Sequence, residues 1–128
     1  MKVLIVEDDF VSGKLLKKIL EKYGESEIAS SGEKGVELFI QGLDSGEPYN
    51  LVCLDIMMPK MSGHDVLMRI REIEEEREMA DSTRAIMTTA LEDFDNIKRA
   101  YREQCEDYLI KPLHQTKVEN SLKKLGLI

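Results

Sequence analysis

The chain has 128 residues, which is enough for one domain that buries a core without disulfides or a structural metal. Its formal net charge of -7 disfavours direct binding to nucleic acid, and no apolar run approaches the roughly 20 residues of a membrane-spanning helix. The two cysteines form no C-x-x-C pair and the N-terminus has no signal-peptide pattern, so we expect a soluble, cytoplasmic protein.

Strand-like and helix-like patterns alternate along the chain. Short apolar runs predict strands at residues 3–6, 27–29, 51–54, 85–87 and 108–110. Helical spacing of apolar residues predicts helices at 10–23, from 33 to a loop at Gly42, from about 63, at 93–103 and at 114–125. The charged stretch 71–78 is predicted to be a solvated extension of the third helix. This alternation is typical of an α/β fold with a doubly wound parallel sheet.

Acidic side chains stand at the ends of two predicted strands. Glu7, Asp8 and Asp9 follow the first strand, and Asp55 ends the third. The carboxyl ends of parallel strands meet at one edge of a sheet, so we expect these acids to lie close together. Ionised carboxylates side by side are costly unless a cation lies among them. Mg²⁺, which binds few carboxylates together with phosphate, is the expected cation.

Two further residues at the same edge complete a site for phosphate. Thr89 follows the fourth strand and Lys111 follows the fifth. Asp55 can act as a nucleophile toward phosphorus, while Glu7, Asp8 and a backbone carbonyl hold Mg²⁺. Thr89 and Lys111 can bind the remaining phosphoryl oxygens. The acyl phosphate formed on Asp55 would add about -1.5 to -2 charge and draw both residues inward.

The register of the adjacent acids stays open at this point, because Glu7 with Asp8 and Asp8 with Asp9 are both possible pairs. The first pair is preferred, since it keeps Val6 as the last strand residue. Asp9 then faces solvent or caps the next helix.

Four motifs extend over essentially the whole chain: Ile-Val-Glu-Asp-Asp, Leu-Asp-Ile-Met-Met-Pro-Lys-Met-Ser-Gly, Thr-Thr-Ala and Tyr-Leu-Ile-Lys-Pro-Leu. In this order the set resembles the response-regulator receiver domains of the CheY-like kind, from two-component signalling. The resemblance implies a flavodoxin-like fold with five parallel strands in the order 2-1-3-4-5 and helices on both faces. It also implies that residues 1–128 form one receiver domain.

The resemblance assigns the phosphoacceptor role to Asp55. It implies that Mg²⁺ is the cofactor and that Glu7, Asp8, Asp55 and the backbone carbonyl of Met57 are its protein ligands. No other cofactor is expected.

The same resemblance assigns the switch residues. Thr89 would be the switch hydroxyl and Tyr108 the switch aromatic. Lys111 would bind phosphate and would precede a cis peptide bond to Pro112.

Partners follow from the resemblance as well. The expected phosphodonor is a histidine kinase or a histidine phosphotransfer protein, and the expected target is another protein, with no nucleic acid or membrane bound directly. Catalysis would be limited to self-catalysed phosphoryl acceptance and dephosphorylation, so the chain is not expected to be an enzyme. The sequence ends just after the last predicted helix, so it is either a single-domain regulator or a piece of a longer protein.

Some features depart from the family pattern. Residues 104–107 lack the usual Gly, and the segments 42–49 and 72–82 are longer than usual. The alternative from another class is an enzyme on the same fold, such as an aspartyl-phosphate phosphohydrolase or a flavin-binding protein. It is disfavoured because Met57 stands where a second acid would be needed, and because aromatic residues make up only 5% of the chain.

Overall fold

The predicted alternation of strands and helices is present in the computed structural model, which describes residues 1–90, 95, 98–99 and 105–128. Within these ranges the elements are β1 (Lys2–Val6), α1 (Phe10–Leu20), β2 (Glu25–Ala29), α2 (Gly32–Asp44), β3 (Leu51–Asp55), α3 (Gly63–Glu76), β4 (Arg84–Thr89), β5 (Asp107–Ile110) and α4 (Gln115–Lys124). Residues 95, 98 and 99 are helical. The rest of the helix predicted at 93–103 lies outside the described residues.

The five strands form one parallel sheet in the order β2-β1-β3-β4-β5, which confirms the predicted fold class and strand order. Val6 is paired with Leu54 across β1 and β3, and Asp55 is paired with Thr88 across β3 and β4. The residues that follow β1 and end β3 therefore lie side by side at the carboxyl edge of the sheet.

Strand residues alternate between two apolar cores, because successive side chains of a strand point to opposite faces. Val52 belongs to the core covered by α2 and α3, which includes the fully buried Phe39. Cys53 belongs to the core covered by α1 and α4, which includes Leu16 and Leu122. Because helices cover both faces of the sheet, the polar residues of the candidate site lie at the carboxyl ends of the strands.

Polar side chains cap the N-termini of the helices that start at the carboxyl edge of the sheet. Asp9 accepts hydrogen bonds from the backbone N–H of Ser12 at 3.0 Å and from its hydroxyl at 2.6 Å. Ser62 and Asp65 form a reciprocal capping box at the start of α3, with bonds of 3.0 and 3.3 Å. These side chains satisfy N–H groups that the first helical turn leaves without partners, so the helices start at defined points beside the site.

The boundary predicted for the second helix was wrong. The loop was expected to begin at Gly42, but α2 continues through it to Asp44. A Cβ at Gly42 would lie 3.1 Å from the carbonyl oxygen of Glu47 and 3.2 Å from the ring of Tyr49. Packing against this segment outweighs the ~1 kcal/mol by which glycine disfavours a helix.

The charged stretch at the end of α3 is only in part the solvated extension that was predicted: five of its eight residues are exposed, but Arg71, Ile73 and Glu74 are not. Glu74 is 5% exposed and accepts hydrogen bonds from Arg71 at 2.8 Å and from the backbone N–H of Thr83 at 2.6 Å. Arg71 also donates to both carboxylate oxygens of Glu106 at 3.2 Å. Glu106 in turn accepts from the N–H of Ala85 at 2.5 Å. Glu74 is buried, and Arg71 and Glu106 are partly buried, because they join α3 to the starts of β4 and β5, far along the sequence.

None of the helices in the described ranges combines the length and apolar character needed to cross a bilayer.

Candidate functional site

Three carboxylates meet at the carboxyl edge of the sheet. Glu7 and Asp8 directly follow β1, and Asp55 is the last residue of β3. Each offers an oxygen atom, and these atoms all lie within 4.8 Å of one another. Glu7 and Asp55 are each only 5% exposed, whereas Asp8 is exposed. The strand register therefore produces the acidic cluster that the sequence predicted.

Lys111 brings a positive charge to this cluster from the end of β5. Its backbone N–H donates to the carbonyl of Thr89 at 2.7 Å, which continues the β4–β5 ladder past the strand end. Its ammonium donates to Glu7 Oε1 at 2.5 Å and lies 3.6 Å from Asp55 Oδ1. The peptide bond from Lys111 to Pro112 is cis, as predicted.

The cluster changes the acidity of its members. Burial, followed by the hydrogen bond and charge of Glu7, raises the pKa of Asp55 from 3.8 to about 7, and the charge of Lys111 only partly opposes this. Burial lowers the pKa of Lys111, but its hydrogen bond to Glu7 and the charge of Asp55 outweigh that effect and raise it. The site therefore has more negative charge than its single lysine can balance.

This imbalance predicts that Asp55→Asn stabilises the protein when no divalent cation is present. The folded-state pKa of Asp55, about 7, lies above its ordinary value of 3.8, so stability is lost as the pH rises through 7. At pH 8 in EDTA we expect a gain of about 2 kcal/mol in the free energy of unfolding, at about 1.4 kcal/mol per pKa unit and after screening by solvent near exposed Asp8. Urea denaturation should show the gain shrinking below pH 7 and disappearing near pH 4. A gain that is the same at both ends of this range would contradict the electrostatic cause.

Comparison with known proteins agrees with this arrangement. The sequence model of the response regulator receiver domain family matches residues 3–123. The chain belongs to this family. Its role is therefore phosphorylation-dependent signalling.

Relatives of this receiver domain include both kinases and regulators. The osmosensing histidine protein kinase SLN1 of Saccharomyces cerevisiae is 28% identical over 124 residues, which cover 95% of this chain and 10% of that protein. The transcriptional regulatory protein ResD of Bacillus subtilis is 32% identical over 124 residues, which cover 97% of this chain and 47% of ResD. The chain thus corresponds to a part of each of these relatives.

A solved structure provides the third comparison. A chain of the CheX-CheY-BeF3-Mg+2 complex from Borrelia burgdorferi is 29% identical and superposes with a TM-score of 0.81, over 98% of this chain and 89% of that chain. The receiver fold therefore extends along nearly all of the sequence.

Within the receiver domain, the structure separates the three consecutive acids by position. Asp9 caps α1, and its hydrogen bonds to Ser12 lower its pKa. Glu7 and Asp8 instead lie with Asp55 in the carboxylate cluster. This placement favours the pair Glu7 and Asp8 over the pair Asp8 and Asp9.

The two predicted switch residues lie on one side of the sheet. Thr89 ends β4 and is fully buried. Tyr108 is paired with Met87 and packs against the core on the α2 and α3 side. Because Thr89 is two residues after Met87 on the same strand, its side chain points to that side as well. Thr89 and Tyr108 therefore lie on the same side of the sheet.

The loop after β3 carries the remaining predicted ligand. Met57 has a side chain that is 58% exposed, two residues after Asp55. The loop turns at Lys60, whose φ is 67°, and closes where the N–H of Gly63 donates to the carbonyl of Ile56 at 3.1 Å.

The residues present fit a hard divalent cation. All three side-chain donors in the cluster are carboxylates, the ligand type that Mg²⁺ prefers, and two of them are buried close to one lysine. Burial is the main cause of the raised pKa of Asp55, and the hydrogen bond and charge of Glu7 and the charge of Asp8 add to it. The contact between Lys111 and Glu7 was not predicted, and no sequence signal indicates which carboxylate a lysine 104 positions away will choose.

Proposed function

We propose that this receiver domain accepts a phosphoryl group on Asp55 in a reaction that depends on Mg²⁺. The observation that carries the proposal is a buried carboxylate at a strand end, within 4.8 Å of the oxygens of Glu7 and Asp8 and 3.6 Å from Lys111. A cation held among these carboxylates, together with Lys111, would supply the positive charge that binds a phosphoryl anion. Asp55 is the nucleophile, and Glu7, Asp8 and the Met57 carbonyl would hold the metal with it.

The chemical step exchanges one bond to phosphorus for another. A carboxylate oxygen of Asp55 attacks the phosphorus of a phosphohistidine, and the N–P bond breaks as the O–P bond forms. The imidazole nitrogen leaves with the electron pair. When bound, Mg²⁺ supplies positive charge for the phosphoryl oxygens. Asp55 must be ionised to attack, and the positive charge of Lys111 favours that state.

Lys111 and Thr89 then hold the product. The ammonium of Lys111 is already within 3.6 Å of Asp55, so it reaches a phosphoryl oxygen with little movement. The Thr89 hydroxyl can donate to another oxygen, because Thr89 ends the neighbouring strand β4. Charge-assisted hydrogen bonds of this kind are stronger than neutral ones, which gives the phosphorylated form a distinct arrangement of both side chains.

The proposed phosphodonor is a histidine kinase or a histidine phosphotransfer protein, since the matched region of SLN1 belongs to a protein named as a histidine kinase. The proposed target is another protein. Catalysis would be limited to accepting and losing the phosphoryl group. Residues 1–128 are proposed to form one receiver domain, and a cytoplasmic location is supported by the two free, buried thiols of Cys53 and Cys105.

Labelling by a small phosphodonor tests the proposal. Incubation with acetyl phosphate or phosphoramidate and Mg²⁺ should add one labile phosphoryl group, which intact-mass spectrometry detects. The same incubation in EDTA should add none, because the carboxylates of Glu7, Asp8 and Asp55 would repel the incoming anion. Equal labelling in EDTA would overturn the proposed metal dependence.

A second prediction concerns the surface that changes on phosphorylation. Beryllofluoride with Mg²⁺, which imitates the acyl phosphate, should alter amide exchange in β5 and α4 and change the burial of Tyr108. The reason is that Thr89 and Lys111 are drawn toward Asp55: Thr89 lies on the same side of the sheet as Tyr108, and Lys111 lies in the segment between β5 and α4. The Asp55→Asn protein with the same additions is the control. Changes confined to the loop 56–62 would count against a switch at this face.

A further inference from the structure

The loop that follows Asp55 is held between the starts of two helices. At the start of α3, a Cβ on Gly63 would lie 2.5 Å from the Asp55 carbonyl oxygen. At the start of α2, a Cβ on Gly32 would lie 2.8 Å from Met61 Cβ and 3.0 Å from the Met61 carbonyl oxygen. Carbon atoms in contact normally stay ~3.5–4.0 Å apart. Both helices therefore approach the loop more closely than a side-chain carbon permits.

Helix α2 is also fixed against β1. A Cβ on Gly35, one turn after Gly32, would lie 2.7 Å from Val6 Cγ2, and Val6 directly precedes Glu7. Farther along the helix, Phe39 is 1% exposed within the core. The first turn of α2 thus contacts both the strand that leads to Glu7 and the loop that leads away from Asp55.

Of the two elements that meet at Gly32, the loop is the one that would be displaced more easily. Its backbone hydrogen bonds are short-range: Met58 donates to the carbonyl of Ile56 at 3.1 Å, Met61 to that of Pro59 at 2.8 Å, and Gly63 to that of Ile56 at 3.1 Å. The helix has a buried apolar face and a capped start, where Ser31 accepts from the N–H of Lys34 at 3.2 Å. A carbon added at Gly32 would therefore displace the loop rather than the helix.

We propose that Gly32 is a positioning residue for the phosphoryl-transfer site. Because Gly32 has no side chain, the loop packs directly against the start of α2. This close packing fixes the position of the Met57 carbonyl relative to Glu7 and Asp55. The inference rests on the proposed function of Asp55. It concerns a residue that touches neither the metal nor the phosphoryl group.

The test compares the same substitution at the two ends of α2. Gly32→Ala should weaken Mg²⁺ affinity about tenfold, measured by NMR titration of the folded protein, and should slow labelling by acetyl phosphate at saturating Mg²⁺ by a similar factor. Gly42→Ala is the matched control, since its Cβ would be crowded at 3.1 Å by Glu47 at the far end of the helix. It should keep wild-type Mg²⁺ affinity within twofold. A general loss of stability would affect both variants.

Equal Mg²⁺ affinity in the two variants would overturn the inference. If Gly32→Ala does not fold, the double variant Gly32→Ala with Met61→Gly removes the Cβ that the new carbon meets. Rescue of folding together with Mg²⁺ affinity supports the inference, and a folded double variant that still binds Mg²⁺ tenfold more weakly contradicts it. Absence of labelling in wild-type protein would instead contradict the proposed function, so the two failures are distinguishable.

Discussion

Asp55→Asn is expected to abolish phosphorylation, with a loss of at least ~100-fold in the labelling rate, equivalent to about 2.7 kcal/mol of barrier. A carboxamide retains the shape of the side chain, but it is a poor nucleophile and brings no negative charge to a bound cation. Neither of the other two carboxylates of the cluster can replace it at the same position, because Glu7 Oε1 is engaged by Lys111 at 2.5 Å and Asp8 is exposed. Intact mass after incubation with acetyl phosphate and Mg²⁺ gives the readout.

Asp9→Asn is the matched control for this experiment. Asp9 lies next to the cluster but caps α1 through Ser12, and asparagine is an equally good N-cap residue. The control should therefore label at the wild-type rate and unfold at the wild-type denaturant concentration. A labile phosphoryl group on the Asp55→Asn protein would show that the acceptor is a different residue. Loss of labelling in the control would point to the charge of Asp9 rather than to its cap.

Arg71→Met is expected to lower the free energy of unfolding by about 3 kcal/mol. Arg71 bridges two carboxylates, with bonds of 2.8 Å to Glu74 and 3.2 Å to Glu106, and its side chain is 13% exposed. Methionine preserves much of the apolar volume but leaves two partly or fully buried negative charges without their common cation. Removal of one partner from a buried ion pair typically costs 3–5 kcal/mol. Guanidinium denaturation measures the change.

Arg69 provides the matched control on the same helix. Its guanidinium also contacts two carboxylates, Glu72 at 3.3 Å and Glu76 at 3.4 Å, but its side chain is 40% exposed. Exposed pairs are worth about 0–1 kcal/mol, so Arg69→Met should cost less than about 1 kcal/mol. Similar losses for the two variants would mean that the Arg71 contacts do not behave as a buried network.

The comparison of these two arginines explains why the prediction of a solvated stretch at 71–78 failed in part. Arg69 and Arg71 lie on the same helix and each has a glutamate three positions later, so the local pattern is the same for both. Only Arg71 faces Glu106, which lies 35 positions away and is brought near by the pairing of β4 with β5. Local periodicity contains no information about such a contact.

The prediction that the second helix ends before a loop at Gly42 failed for a related reason. Glycine weakens a helix by a known local amount, but the close approach of Tyr49 is a tertiary property. The element types were predictable where apolar spacing was regular over several residues. The ends of helices and strands were less predictable, because contacts with distant segments decide whether the last turn of a helix is stable.

The sequence by itself determined the class of fold and predicted which residues form the site. Buried parallel strands are mostly apolar, so polar side chains concentrate where such strands end, and alternation with helices places those ends at one edge of the sheet. Glu7, Asp8, Asp55, Thr89 and Lys111 were predicted as site residues because each lies at or just after the end of a predicted strand. The tertiary structure alone decided which carboxylate Lys111 contacts and how closely Gly32 approaches Met61. These depend on tenths of an ångström between elements distant in sequence, and packing of the whole chain sets such distances.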